Sequence, residues 1–464
     1  MKTSRYLVRV ATLAAGLVLA ATAATASTAG AATMQYNGTL ADGATWIADV
    51  PSGWNGVLLL YSHGFGPLVA ADAPNDASRD ALLARGYALA GSSYDPNGSW
   101  WALKSAVGDQ FETIDAATAT ALPHAPDRVI AVGSSMGGLV SALEAEQGAG
   151  RIDGALTTCG IVAGGIELNN YQLDGEYVIT KLLATAPIQL VNFYPNFGAG
   201  IATGFTLQAV ANQAQTTPEG RARLSLALAF LNATPAAPGQ PPAPSNDPEA
   251  VEAAQFESMF GGGFPIIAFV NAARPWIEMS AGGNASWTLG EDFASLLDHS
   301  PYANTVRSLY RAAGLDLKAD LAALTAGADI PADPAAIGSL QQTSVPTGRL
   351  QVPELDLHTI HDPLVPVEME SDYAATVRAA GNNSLLRQAY VDRFGHCAFS
   401  TSEIVAGVEA VRHRVESGRW DSVAQPQKLQ DFANGLSLDP AAFVQYQPLP
   451  LSGNNGPFDP GVNQ

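Results

Sequence analysis

A serine set between glycines is the feature of the chain most able to do chemistry. Gly133-Ser134-Ser135-Met136-Gly137 is the only G-x-S-x-G present, and it lies between an apolar run, RVIAVG (128–133), and a helix-forming stretch, LVSALEAEQ (139–147). A sharp strand-to-helix turn there lifts the Ser135 hydroxyl above a sheet edge. It also turns the free N–H groups and positive dipole end of the helix toward developing negative charge. A hydroxyl is a weak nucleophile alone and needs a base, which in turn needs an orienting acid. The bland alternative is a glycine-rich turn without chemistry, and the strand–turn–helix context argues against it.

Seven histidines are available as the base: His63, His124, His299, His358, His361, His396 and His413. His396, in VDRFGHCAFS, follows the last expected strand, where a loop can return over Ser135. His413 sits on a polar helix, His124 in a Pro-flanked loop at the wrong end of a sheet, and His299 in a helical region where it could line a pocket but reads better as a surface residue. For the acid, LDLHTIHDPLVP places Asp362 in a turn after a strand over 351–358, with Pro363 as punctuation. Asp356 is the rival but lies inside that strand. His358, His361 and Asp362 have H-x-x-H metal spacing, yet a strand–turn segment presents no such pair on one helix face, so no metal is expected. An oxyanion needs two inward backbone donors. Met136 N–H directly follows the serine, and Phe65 N–H in the glycine-rich turn His63-Gly64-Phe65-Gly66 is the second candidate. His63 reads better as a support of that turn than as the base. No cofactor is called for.

These residues must be positioned by a sheet. VLLLYS (57–62), YALAGS (87–92), RVIAVG (128–133) and DGALTTC (153–159) are short, nearly continuous apolar runs. ASRDALLARG (77–86) and the stretch 103–122 between them read as helices. Such alternation predicts an α/β fold with a mostly parallel sheet covered on both faces over 33–160, with residues 34–50 adding an antiparallel edge hairpin. Residues 161–348 are Ala- and Leu-rich with helical period, as in RARLSLALAFL (221–231), EDFASLLD (291–298) and TVRSLYRAAG (305–314), and read as a helical insertion that interrupts the sheet. Within them PAAPGQPPAPSNDP (235–248) carries six Pro and reads as an exposed loop. RLQVPELDLH (349–358) and RQAYV (387–391) restore strand character in a second core segment, 349–434. Residues 435–464 read as an irregular tail.

The N-terminus reads as an address. Lys2, Arg5 and Arg9 precede the apolar run 10–24, and Ala29-Gly30-Ala31 gives a small-x-small cleavage site, so 1–31 is expected to be a signal peptide and the mature chain secreted. The run is shorter than the roughly 20 residues a membrane span needs. Its removal takes three cations and no acid from a chain of formal charge −20. The acidic excess and 47% apolar content exclude wholesale disorder and argue against nucleic acid or an anionic membrane as the main partner. In an oxidising compartment Cys159 and Cys397, 238 residues apart, most simply form one disulfide. Two buried thiols acting as small hydrophobes are the other reading.

The order HGFG, GSSMGG, HDPLVP and GHC resembles the α/β-hydrolase superfamily, whose triad runs Ser, acid, His along the chain. The resemblance covers 33–160 and 349–415. It implies Ser135 as nucleophile, Asp362 as orienting acid, His396 as base, Phe65 and Met136 as oxyanion donors, and a cap between the sixth and seventh strands. The exported, Ala- and Gly-rich chain is similar to secreted actinobacterial hydrolases, and YDPNGSWWALKSAVGDQ and LHTIHDPLVP are similar to stretches of secreted esterases and amidases. The GHC phrase is similar to feruloyl esterases and tannases, where a disulfide ties the triad loops together. There the partner Cys adjoins the nucleophile, whereas Ser134 holds that position here. Cys159 ends the next strand and still allows a brace on the His loop.

The expected activity is cleavage of a carboxylic ester, small or polymeric, through an acyl-enzyme. Amide or peptide hydrolysis by the same groups is the alternative, and a non-catalytic binding protein on a hydrolase core is a third reading against which the complete Ser–Asp–His order argues. Dehalogenase chemistry is disfavoured because Ser, not Asp, holds the nucleophile position. Of the aromatics Tyr171, Tyr177, Phe193, Tyr194, Phe197, Phe260, Phe264 and Trp276, most are expected to pack the cap rather than to bind an aryl group.

Overall fold

Apolar strands with no polar face demand cover on both sides, and that requirement organises the molecule. The computed structural model describes residues 32–453; the expected signal segment 1–31 and residues 454–464 of the tail lie outside them. Nine strands form one sheet: β1 (Thr33–Thr39), β2 (Thr45–Pro51), β3 (Val57–Ser62), β4 (Ala88–Ser92), β5 (Arg128–Ser134), β6 (Gly154–Thr158), β7 (Glu354–His361), β8 (Leu386–Phe394) and β9 (Phe443–Val444). Their order is β1-β2-β4-β3-β5-β6-β7-β8-β9. The six strands from β4 to β8 run parallel. The hairpin β1–β2 at one edge and β9 at the other are antiparallel.

Alternate residues of each strand point to opposite faces. Leu58, Leu60, Val129, Ala131 and Ala155 pack on one side with residues of α2 (Ala106–Thr120), α3 (Met136–Gln147) and α13 (Met369–Ala379). Val57, Leu59, Ile130, Val132, Leu156 and Leu357 pack on the other with α1 (Asp76–Leu83) and α14 (Thr401–Ser417).

Between β6 and β7 come nine helices among the described residues: α4 (Gly165–Leu182), α5 (Phe197–Ala214), α6 (Pro218–Phe230), α7 (Pro248–Phe260), α8 (Ile266–Ala281), α9 (Phe293–His299), α10 (Ala303–Ala313), α11 (Leu317–Ala326) and α12 (Pro334–Thr343). They bury a separate apolar cluster of their own, including Leu173, Leu226, Phe230, Phe293 and Tyr310. The Pro-rich stretch 235–247 is irregular and mostly exposed, while its last proline, Pro248, opens α7 at a position where a missing N–H costs nothing.

Two boundaries differ from expectation. β7 starts at Glu354, after Pro353, which has no N–H for the ladder, and runs on to His361 by pairing with β8 across an irregularity at Thr359/His361. The tail is not wholly irregular. α15 (Pro426–Gly435) leads into β9, and Ser452 is tied to Asn232 by two hydrogen bonds. Pairing of backbone groups, rather than side-chain periodicity, holds such a segment, so its sequence carries no period to read.

Candidate active site

β5 ends at Ser134, and α3 begins at Met136. The single residue between them, Ser135, has φ 60° and ψ −122°, a strained backbone that an L-residue adopts only when its surroundings impose it. The surroundings are close backbones. A Cβ on Gly133 would lie 1.9 Å from the Gly137 carbonyl oxygen, and one on Gly137 would lie 1.9 Å from the Ser62 carbonyl oxygen. The two glycines of the motif are therefore steric requirements of the turn. The Ser135 N–H donates to Thr158 O at 3.0 Å, fixing the turn to the end of β6. This is the α/β-hydrolase fold. It is identified by the sheet order around the central β5, with a serine on the strained turn after that strand.

The fold brings Ser135, Asp362 and His396 together from turns after β5, β7 and β8. His396 Nε2 lies 2.8 Å from Ser135 Oγ, and its Nδ1 lies 2.7 Å from Asp362 Oδ2. An ionised carboxylate only accepts, so Nδ1 carries the proton and Nε2 is left to accept from the serine hydroxyl. Asp362 is fully buried, and its Oδ1 accepts the N–H groups of Leu364 (2.8 Å) and Val365 (2.9 Å). Burial alone would raise its pKa; the His396 ring, His358 and the Val365 N–H more than offset that and hold it below the ordinary carboxylate range. Such a chain of hydrogen bonds can withdraw a proton from a hydroxyl as it attacks a carbonyl.

Met136 is the first residue of α3, where helix geometry leaves the N–H without an intrahelical acceptor. The HGFG turn packs directly on the serine, since a Cβ on Gly64 would lie 3.2 Å from Ser135 Cβ. His63 supports this turn: its Nδ1 lies 2.8 Å from Gly64 O, its ring stacks on Tyr94 at 4.2 Å, and its carbonyl accepts from the Tyr94 hydroxyl at 3.0 Å.

Cys159 and Cys397 form a disulfide with Cα atoms 5.3 Å apart. To stand over Ser135, the loop after β8 must cross the ends of β7 and β6. The bridge fastens it where it passes β6. Cys397 Sγ lies 3.5 Å from His396 Nε2.

The remaining histidines go elsewhere. His124 is exposed beside Trp54, His299 caps its own helix through Ser295 O, and His413 pairs with Asp421. The H-x-x-H pair divides: His358 points inward to Glu370 and Val365 O, whereas His361 faces Thr234 and Asp392. Asp356 is buried in β7, its pKa pushed well up by burial and then by Glu370.

A cavity of about 300 Å³ opens at Ser135, lined by Tyr61, Phe65, Asn75, Phe269, Leu364, His396 and Phe399 among others. Phe65 meets Phe269 and Trp100 edge-on, at 5.8 and 6.0 Å. Trp100 stacks on Trp276 at 4.4 Å, and Phe197 lies 4.1 Å from Trp276. Of the aromatics weighed from sequence, Phe197 and Trp276 join this cluster, Tyr171, Tyr177, Phe193 and Phe260 are buried in packing, and Tyr194 and Phe264 are exposed. Nothing in the sequence marks Phe269, Trp100 and Phe399, because aromatic residues in loops and helices look the same whether they line a cavity or a core.

No protein-family model matches the chain. An o-phthalyl amidase of Xanthobacter agilis is 29% identical over 428 residues, covering 85% of this chain and 90% of that protein. Among solved structures, feruloyl esterase B from Aspergillus oryzae aligns with a TM-score of 0.44 at 14% identity, covering 83% of this chain and 80% of that one. An esterase from Aspergillus oryzae aligns with a TM-score of 0.40 at 15% identity, covering 81% and 77%. Among the described residues no helix is long and apolar enough to cross a membrane.

Proposed function

We propose that the chain is a serine hydrolase that cleaves a carboxylic amide or ester through an acyl-enzyme. The observation that carries this is the unbroken hydrogen-bond chain Ser135–His396–Asp362 on a strained turn. In this reading Ser135 Oγ bonds to the carbonyl carbon as its proton passes to His396 Nε2. The oxyanion takes the N–H groups of Phe65 and Met136, and Asp362 stabilises the imidazolium. His396 then gives the proton to the departing amine or alcohol, and the same base activates water to release the acid. The helices between β6 and β7 act as a cap, contributing Phe269, Trp276 and Phe197 to the mouth of the site. The N-terminal charge, apolar run and small-residue site support export, and the disulfide is consistent with an oxidising compartment.

The amidase relative favours an amide over the ester expected first, and its aromatic acyl group suits the aromatic rim described above. Matched aryl esters and anilides should both be turned over, with the Ser135→Ala variant folded but inactive and refractory to a serine-directed phosphonate. Turnover retained in that variant would overturn the assignment.

A further inference from the structure

Behind Asp362 lies a second, fully buried histidine that the reaction above does not use. His358 sits on β7 four residues before the acid, with no solvent exposure. Its Nε2 lies 2.9 Å from Val365 O and 3.7 Å from Asp362 Oδ2, the same oxygen that receives His396. Its Nδ1 lies 2.8 Å from Glu370 Oε1 at the start of α13. A carbonyl oxygen only accepts, so Nε2 carries a proton. One further proton is shared between Nδ1 and Glu370. Burial pushes the Glu370 carboxyl up to about 7, and two features oppose it by drawing the proton to the ring: Gln388 Nε2 donates to Glu370 Oε2 at 2.7 Å, and the Asp362 charge stands beside the imidazole.

We propose that His358, held as an imidazolium by Glu370, is a positioning residue that keeps Asp362 ionised and aimed at His396. It acts in two ways. Its Nε2–H pins the carbonyl of Val365, whose N–H pins Asp362 Oδ1, so one turn is clamped from both ends. Its charge, 3.7 Å from the oxygen that receives His396, lowers the negative field that the base experiences.

The other groups facing His358 do not supply this charge. Asp356 on the same strand has its pKa pushed well up by burial and then by Glu370, and so keeps its proton. Glu368, before α13, is pushed up to about 7 by burial. Tyr390 on β8 and Tyr171 on α4, both raised mainly by burial, stay neutral.

This inference rests on the triad reading. Glu370→Gln keeps the shape and leaves His358 without its counter-charge, so the ring becomes neutral. His396 should then hold its proton to higher pH, moving the acid limb of the kcat/KM profile up by about half a pH unit. Melting temperature should change little. His358→Leu should show the same limb shift and lose about 10-fold or more in kcat with KM little changed, and His358→Gln, which retains a donor toward Val365, should recover kcat but not the limb. An unmoved limb in Glu370→Gln and His358→Leu, with only stability lowered, would overturn the proposal. Failure of the triad reading shows separately, as activity surviving Ser135→Ala.

Discussion

Removing the bridge between Cys159 and Cys397 tests how the loop that carries His396, the proposed base, is held. The two effects of the change have different sizes and different readouts. The first is global: closing a loop of 238 residues in the unfolded chain is worth about 5 kcal/mol in the chain-entropy account. With an unfolding entropy of roughly 2 cal/mol/K per residue, that loss lowers Tm by about 5 °C in a chain this long. The second is local. Cys397 has φ 52° and Cys159 has φ 45°, left-handed backbone that costs about 1–2 kcal/mol per residue. Released, the 395–399 loop keeps the His396 Nδ1–Asp362 Oδ2 bond (2.7 Å) and three others: Gly395 N to His361 O (3.2 Å), Thr359 Oγ1 to Gly395 O (2.8 Å) and Arg393 Nη1 to Ala398 O (2.7 Å). None of these lies between His396 and Ser135. A drift of about 1 Å in the base costs on the order of 100-fold in rate. The Cys159→Ser/Cys397→Ser variant should therefore melt about 5 °C lower and lose roughly 10- to 100-fold in kcat at a temperature where circular dichroism shows it fully folded. Reductant added to the unaltered protein should reproduce the loss of activity before the loss of helix signal. A variant with unchanged kcat, whatever its Tm, would refute the bracing argument, and an unchanged Tm would refute the entropic one.

Three further outcomes are expected. Gly137→Ala should lose at least about 2 kcal/mol in denaturant unfolding together with most of the activity, because its Cβ would stand 1.9 Å from a backbone oxygen that cannot swing away; a fully active Gly137→Ala enzyme would show that the turn has room to spare. Asp362→Asn should keep the fold and reduce kcat by roughly 10⁴-fold through the wrong imidazole tautomer, measured by steady-state hydrolysis. Glu354 is fully buried and pushed up to about 8 by burial and then by Asp356, against 4.5 for the free group. The folded state thus holds a proton that the unfolded chain releases, so its stabilising contribution is complete below about pH 4.5 and is lost as pH rises through 8. Glu354→Gln should accordingly gain on the unaltered protein by roughly a few kcal/mol between pH 5 and 9, read as the difference in Tm at each pH; a constant difference would contradict the sign.

Much of the site was written in local sequence because its geometry is locally enforced. GSSMGG specifies a strand-to-helix turn, and each of its outer glycines is where a side chain would strike backbone. HDPLVP specifies the turn in which Asp362 accepts the N–H groups two and three residues on. The short apolar runs, bounded by Gly, Asp or Pro, read as strands buried on both faces, as a parallel sheet requires. Boundaries set by pairing were less legible: β7 extends to His361 only because β8 lies beside it, and β9 exists only as a partner for β8.

What tertiary structure alone decided is which polar residues meet across long separations. Sequence offers seven histidines and 43 acids, and nothing local distinguishes His358 facing Glu370 from His361 facing Thr234. The aromatic rim is similar: Phe65, Trp100, Phe269 and Trp276 come from distant segments and meet only when the helices between β6 and β7 fold over the sheet edge. Side-chain type and short spacing are properties of the chain, and they point to Ser135, Asp362 and His396 as candidates. Desolvation, shared protons and the closeness of one ring to another depend on which segments are brought face to face, and these the fold decides.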